Sequence, residues 1–447
     1  MAQHMEQFAP ATYPDHGIEY ILGDSISLRE FIAEYWGRKP LFIKGHPDKF
    51  AWLFNTDEYL ATLRAAAAAA DLPADFFVRI TYDRGGPDAF NRIFIQPNKV
   101  EQFFASGATI CVNSLHLMNE KLAWFVHRVR AQLNYPGVVR LNSYWSPPGR
   151  GFAGHFDARV ATTLQIAGRK RWRFARYVAT PWPTDGAAYG DALRKQESAR
   201  REGNPDPSDE MVVPPWTDFE DVTLEAGDVL ILPAGMWHAA VAVDDDESLA
   251  LNLAFDAARL GDLLMDTLAP VLLRGGAQWR GVRPRPERTA GILPSRPPDA
   301  DELAAALREL ARLLEELAAD PTELWRHWIE RSSTSSRPLS NSSREPAGPV
   351  NSVTAVRISR HLTPLIVAGR RPDGGEMLSI YLPAGNEEVS MLEVEEPDSL
   401  AFVRGAAQRD EFRLGHALEW PEMHGVAQSR VLQIAQELVD CGVLEVV

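Results

Sequence analysis

Residues 142–172 read Asn142-Ser-Tyr-Trp-Ser-Pro-Pro-Gly-Arg-Gly-Phe-Ala-Gly-His155-Phe-Asp157-Ala-Arg-Val-Ala-Thr-Thr-Leu-Gln-Ile-Ala-Gly-Arg-Lys170-Arg-Trp172. Positions i and i+2 of a strand face the same side, so His155 and Asp157 can reach one ion. A second histidine ends a later stretch, Glu225-Ala-Gly-Asp-Val-Leu-Ile-Leu-Pro-Ala-Gly-Met-Trp-His238. Two imidazoles and one carboxylate form a facial ligand set with open positions, which suits non-haem Fe(II); zinc with a bound water competes. A His-x-Asp tripeptide is common and by itself reads as a solvated strand face. Three features favour a metal: the Gly/Pro-rich lead-in over 147–154, the buried strand and turn before His238, and the hairpin turn at 224–228.

A 2-oxo acid bound to such a metal needs a cation deep in the barrel for its distal carboxylate. Lys170 is the candidate, while Arg169 and Arg171 point the other way along the strand and read as surface charge. Asn142 and Tyr144 share a face of the strand entering the site and can hydrogen-bond a cosubstrate; otherwise they are an edge amide and a core ring. Asn252 interrupts the apolar run Leu249-Ala-Leu-Asn-Leu-Ala-Phe255 and needs a buried partner, a cosubstrate or a neighbouring group. Trp145, Trp172 and Trp237 read as core or pocket walls, and His116 and His127 as surface or satisfied core histidines.

Outward from this stretch, residues 28–35 form an amphipathic helix with Leu28, Phe31, Ile32 and Tyr35 on one face and Ser27 as N-cap. Residues 65–70 are alanine and helical, and residues 117–133 repeat apolar side chains at helical spacing. Short strands with Gly/Pro turns run from 76 to 255, the pattern of a barrel or sandwich. Residues 178–216 are rich in Pro, Gly and charge and read as a long surface insertion, a substrate or lid loop. Beyond 255 the texture is helical: Leu303, Leu307, Leu310, Leu314 and Leu317 form a packing stripe for a bundle or a partner subunit.

The 447 residues exceed one ordinary core, so two or three domains are expected; 45% are apolar and the net charge is −15. That balance argues against direct nucleic-acid binding. No run is long enough to span a membrane and no secretory signal is evident. Two distant cysteines fit a reduced cytoplasm, with Cys111 a buried, inert thiol. The expected organisation is a catalytic domain over 1–256, a helical dimerisation segment over 257–330, a flexible linker over 331–352 and a winged-helix-like domain over 353–447.

The segments 142–172 and 224–255, with Phe-Ile-Ala-Glu-Tyr-Trp-Gly-Arg-Lys-Pro-Leu-Phe-Ile-Lys at 31–44, resemble the JmjC, cupin-type 2-oxoglutarate oxygenases, specifically the ribosomal-oxygenase branch. The resemblance covers 18–255 by sequence and 256–447 by architecture. It implies a mainly β, double-stranded β-helix (jelly-roll) core with helical elements, followed by a helical dimerisation segment and a small α+β winged-helix-like domain. It also implies that His155, Asp157 and His238 hold Fe(II), that Lys170 grips the distal carboxylate of 2-oxoglutarate, and that Asn142, Tyr144 and Asn252 line the pocket. Gly154 departs from the proline common in the family. The resulting expectation is a homodimeric, cytoplasmic enzyme that uses O2 and 2-oxoglutarate to hydroxylate a protein or peptide side chain, releasing succinate and CO2. The substrate is a ribosomal protein or, in a rival reading, a ribosomally made precursor peptide. N-methyl demethylation and a non-catalytic cupin binding module are further rivals.

Overall fold

The structure, a computed structural model, describes residues 16–87, 92–135, 137–202, 211–243, 245–256, 259–275, 300–320, 322, 325, 328 and 348–447, the last without 360–363, 372 and 386–387. The chain divides into two units, one built from Met1–Ala257 and one from Ala258–Ser335 with Arg344–Val447.

The first unit carries β1 (Leu41–Ile43), β2 (Phe77–Thr81), β3 (Ile93–Ile95), β4 (Thr109–Asn113), β5 (Val139–Ser146), β6 (Gly151–Phe156), β7 (Val160–Ala167), β8 (Lys170–Phe174), β9 (Ala187–Ala188), β10 (Glu220–Leu224), β11 (Val229–Leu232), β12 (His238–Ala242) and β13 (Ser248–Phe255). They form an eight-stranded sheet, β1-β11-β7-β13-β5-β4-β2-β3, and a five-stranded sheet, β10-β8-β12-β6-β9. From β5 onward the chain crosses repeatedly between the two sheets, which is the wiring of a double-stranded β-helix. β13 lies between β5 and β7 and is buried along its whole length, and β11 is likewise buried. Strands covered on both faces read as near-continuous apolar runs, as 229–232 does and 249–255 does apart from Asn252. By contrast β8 alternates, with Lys170, Trp172 and Phe174 buried and Arg171 exposed.

Two helical expectations are corrected. Residues 28–35 begin as a turn of α-helix capped by the Ser27 hydroxyl, which accepts from the Glu30 N–H at 3.2 Å. They continue as a π-turn over Phe31–Tyr35, closed by the Trp36 N–H donating to the Phe31 carbonyl at 2.9 Å. The wider turn rotates the side chains out of 3.6-residue phase, so Phe31 is fully buried while Ile32 is 43% exposed. Residues 115–118 are a 3-10 turn, and the α-helix Glu120–Gln132 starts only after Asn119, whose side chain accepts from the Leu122 N–H at 3.0 Å. Leu122, Phe125 and Val129 then pack into the main core.

The described part of the 178–216 segment packs on the barrel. It adds β9 to the edge of the smaller sheet, followed by a helix over Tyr189–Glu202. Residues 203–210 lie outside the described residues.

The second unit holds helices over Leu260–Gly275 and Ala300–Ala319, then β14 (Ala355–Ile358), β15 (Leu365–Arg370), β16 (Glu376–Gly385), β17 (Glu388–Val394), β18 (Phe412–Arg413) and β19 (Leu444–Val446). These strands make two three-stranded sheets, β18-β14-β19 and β15-β16-β17. Helices Pro397–Ala407 and Gln428–Asp440 pack Phe402, Val403, Val431 and Ile434 into a core with Val356 and Leu444. Residues 331–347 of the expected linker, and 276–299 with most of 321–330 of the expected dimerisation segment, lie outside the described residues.

Candidate metal centre and cosubstrate pocket

His155, near the end of β6, stands directly opposite His238, the first residue of β12. Their ring centroids are 4.4 Å apart, and Asp157 follows His155 just past the strand. One ligand atom from each of His155, Asp157 and His238 lies within 4.8 Å of the others. Each imidazole is held the same way: Nδ1 of His155 is 2.8 Å from the Ala153 carbonyl, and Nδ1 of His238 is 2.8 Å from the Met236 carbonyl. A carbonyl can only accept, so each Nδ1 carries the proton and each Nε2 presents its lone pair.

The protonation states suit a cation. Burial, with a smaller contribution from His238, pushes His155 down to about 3. Burial also lowers His238. Burial raises the Asp157 carboxyl, but His155, His238, Arg159 and Arg92 outweigh it, and the net shift is downward. Two neutral imidazoles and one carboxylate are therefore the resting donor set, and no proton has to leave them before a divalent ion binds.

The backbone fixes the approach of the two ligand segments. The Gly235 N–H donates to the Asp157 carbonyl at 2.9 Å, and its own carbonyl accepts from the Ala179 N–H at 2.7 Å. Gly235 has φ +77°, and a Cβ there would sit 2.1 Å from the Thr180 carbonyl oxygen, so this turn admits only glycine. Gly154 has a different reason. A Cβ on it would lie 2.8 Å from the Trp216 ring and 3.0 Å from the Tyr189 Cβ. The inserted segment is thus seated on the strand that carries His155. Its Tyr189 hydroxyl donates to the Pro214 carbonyl at 2.6 Å, and the Trp237 indole donates to the Val212 carbonyl at 2.8 Å.

A cavity of about 300 Å³ opens beside the triad, and Asn142, Tyr144, Phe152, Trp172 and Asn252 line it. Asn142 uses its oxygen to accept from the Ser114 N–H at 3.0 Å, which aims its amide NH2 elsewhere. Asn252 finds its partner in a side chain, donating to the Thr163 hydroxyl at 3.0 Å. Burial pushes the Tyr144 phenol up to about 12, so it stays a hydroxyl. Lys170 is 1% exposed and lies just behind the cavity wall, with Nζ 5.6 Å from the Phe152 ring centroid. It donates to the Ser146 hydroxyl at 2.9 Å, and burial pushes it down to about 8.

Sequence reasoning missed four cavity residues: Arg79, Arg92, Arg140 and Arg159. Strand alternation in Phe77-Val-Arg-Ile-Thr81 was the available signal, since it puts Phe77 and Arg79 on one face. Cys111 lines the same cavity, and burial pushes its thiol up to about 11, as an inert thiol requires. His116 is a satisfied interior histidine whose Nδ1 accepts from the Leu141 N–H at 3.3 Å.

Residues 117–263 match the family model described as JmjC domain. Ribosomal oxygenase 1 of Gallus gallus is 28% identical over 249 residues, covering 55% of this chain and 37% of its own length. The chain thus spans well under two thirds of that relative. An uncharacterized protein of Bacillus subtilis (strain 168), YxbC, is 25% identical over 250 residues, covering 56% of this chain and 73% of its own length. The crystal structure of Escherichia coli ribosomal oxygenase YcfD superposes with a TM-score of 0.51 at 16% identity, covering 94% of this chain and 98% of that one. At that identity the likeness is one of fold. A further structure of YcfD holds cobalt and 2-oxoglutarate.

Proposed function

We propose, starting from the JmjC domain that residues 117–263 match, that this chain is an Fe(II)- and 2-oxoglutarate-dependent oxygenase that hydroxylates a protein or peptide side chain. The observation that carries the reading is the triad: His155 and His238, both tied by Nδ1 and neutral, converge with the Asp157 carboxylate beside an accessible cavity. The donor set fits a non-haem iron, and three protein ligands leave room for a chelating cosubstrate and O2.

The chain's own groups have assignable tasks. Lys170 is a buried ammonium that donates to the neutral Ser146 hydroxyl, and the distal carboxylate of 2-oxoglutarate would supply its countercharge. Asn142 and Tyr144 offer donors along one face of β5, and Asn252, held by Thr163, closes the neighbouring wall. Trp172 and Phe152 exclude water around the reacting groups. Bound iron would supply the oxidising chemistry, converting 2-oxoglutarate and O2 to succinate and CO2 with insertion of one oxygen into a substrate C–H.

The relatives' names favour ribosomal protein as substrate, and the same chemistry at an N-methyl carbon is demethylation. Incubating the Fe(II)-loaded protein with 2-oxoglutarate and ribosomal-protein peptides separates these outcomes. A product heavier by one oxygen supports hydroxylation, and formaldehyde release supports demethylation. Absence of 2-oxoglutarate binding to the metal-loaded protein would instead favour a non-catalytic cupin module.

We further read the second unit as a helical dimerisation segment followed by a winged-helix-like domain. Its support is the partly exposed leucine face of Ala300–Ala319 and the helices flanked by small sheets over 355–446. Among the described residues no helix is long and apolar enough to cross a membrane.

A further inference from the structure

The cavity beside the triad is rich in cations, although the chain carries a net charge of −15. Arg79, Arg92, Arg140 and Arg159 line it. Asp256 pairs with Arg140 and, at 3.1 Å, with Arg159, and Asp75 lies 4.0 Å from Arg140. Asp157 belongs to the metal triad.

Arg79 differs. Its Nη2 donates to the neutral side-chain oxygen of Asn113 at 3.0 Å. Its Nε is buried and has no hydrogen-bond partner among the described residues, and no carboxylate there forms an ion pair with it. Burial, then repulsion from Arg92, disfavour its charged form and outweigh attraction from Cys111, Tyr144 and Asp157, while the guanidinium carbon lies 5.1 Å from the Phe77 ring centroid. A half-buried guanidinium with its Nε unused gains from an anion, and its planar fork matches a carboxylate.

The position of Arg79 separates that anion from the cosubstrate. Arg79 pairs with Cys111 on β4, and Cys111 with Tyr144 on β5, so the three form one row across the larger sheet. From this row Arg79 leans to Asn113, two residues along β4 in one direction. Lys170 holds Ser146, which bonds Thr109, two residues along β4 in the opposite direction. Arg79, on the cavity lining, and Lys170, behind its wall, thus reach toward opposite ends of β4.

We infer that Arg79 receives a carboxylate of the substrate, so that the cavity selects a peptide segment with aspartate or glutamate at or beside the modified residue. This rests on the oxygenase reading for the chemistry that follows binding, but the anion preference itself is a property of the metal-free protein.

Calorimetric titration of capped pentapeptides with Asp, Glu, Asn, Gln or Lys at the centre tests it, using metal-free protein and Mn(II)/2-oxoglutarate-loaded protein. Acidic peptides should bind at least about tenfold more tightly than their amide counterparts. Arg79→Gln should shrink that preference to about threefold or less, and Arg79→Lys should restore part of it, with the thermal transition and the 2-oxoglutarate affinity unchanged. Equal binding of acids and amides, a preference for Lys, or no binding of acidic peptides overturns the inference. So does a loss of 2-oxoglutarate affinity in Arg79→Gln as large as the loss of peptide affinity, since Arg79 would then be a cosubstrate residue. Failure of 2-oxoglutarate to bind the Mn(II)-loaded wild type is a separate result: it removes the oxygenase reading and leaves the peptide comparison on metal-free protein to decide the role of Arg79.

Discussion

His155 and His238 face each other in register across β6 and β12, and each imidazole is locked by the carbonyl two residues before it. Neither ring can turn its Nδ1 to the metal without breaking that bond. Removing either leaves the proposed three-ligand site with two donors. His155→Ala and His238→Ala should each weaken Mn(II) binding by a factor on the order of 100 or more and abolish 2-oxoglutarate turnover. Far-UV circular dichroism should be unchanged, because the strands pair through their backbones. Turnover retained in either variant would show that the metal sits elsewhere.

Lys170 gives a prediction with a defined pH window. Burial holds its pKa at about 8 in the ligand-free fold, below the value of about 10.4 for an unfolded lysine. The folded state therefore binds fewer protons than the unfolded state between those values. The cost of burying the charge is fully present below pH 8, and stability rises with pH through the window. A bound dianion reverses the preference and raises the pKa of Lys170, so 2-oxoglutarate affinity should be highest below about pH 8 and decline above it. Calorimetry in two buffers of different ionisation enthalpy should register proton uptake near pH 8. Binding that is flat from pH 7 to 9.5 would remove Lys170 from the pocket.

The same residue separates stability from binding. Lys170→Met replaces a buried charge with an apolar chain of similar length, a change that is neutral or stabilising in the ligand-free protein. It should still cost about 2 kcal/mol or more of 2-oxoglutarate affinity, roughly thirtyfold. A thermal melt and a binding titration on one sample check both signs.

Gly154 couples the inserted segment to the metal strand. A methyl group there meets the Trp216 ring at 2.8 Å and the Tyr189 Cβ at 3.0 Å. Gly154→Ala should destabilise by about 1–3 kcal/mol. Trp216→Ala should recover part of that loss in the double variant, with Tyr189 accounting for the remainder, and additive losses in the cycle would mean that the two positions do not touch.

These positions also mark how far the chain could be understood before it was folded. The convergence of His155, Asp157 and His238 was legible because strand alternation and a buried strand-turn-histidine segment are local patterns. The burial of Lys170 was legible for the same reason, since strand alternation turns Arg171 outward. Arg79 and Arg92 were not, because they reach the cavity only when β4, β2 and β3 extend the larger sheet beyond the barrel, and that pairing is a long-range choice. The partner of Asn252 was open between ligand and protein until the β13–β7 register set it against Thr163. Ile32 failed differently: one π-turn breaks the helical phase on which its burial was inferred.

The helix Ala300–Ala319 supplies the last test. Leu303, Leu307 and Leu314 are 45%, 65% and 40% exposed on it. Arg312 meanwhile ties Glu309, at 2.7 Å, and Glu316 into ion pairs along the same helix. Charged side chains at three- and four-residue spacing stabilise the helix without a partner, but the leucines gain only by leaving water. A second copy presenting the same stripe would bury both, in the isologous manner of a two-fold dimer. The wild type should therefore sediment as a dimer at micromolar concentration. The double variant Leu307→Glu/Leu314→Glu should be a monomer with unchanged helix content, since both positions are exposed within one chain. A monomeric wild type, or a dimer untouched by the two glutamates, would assign this stripe to packing within the chain instead.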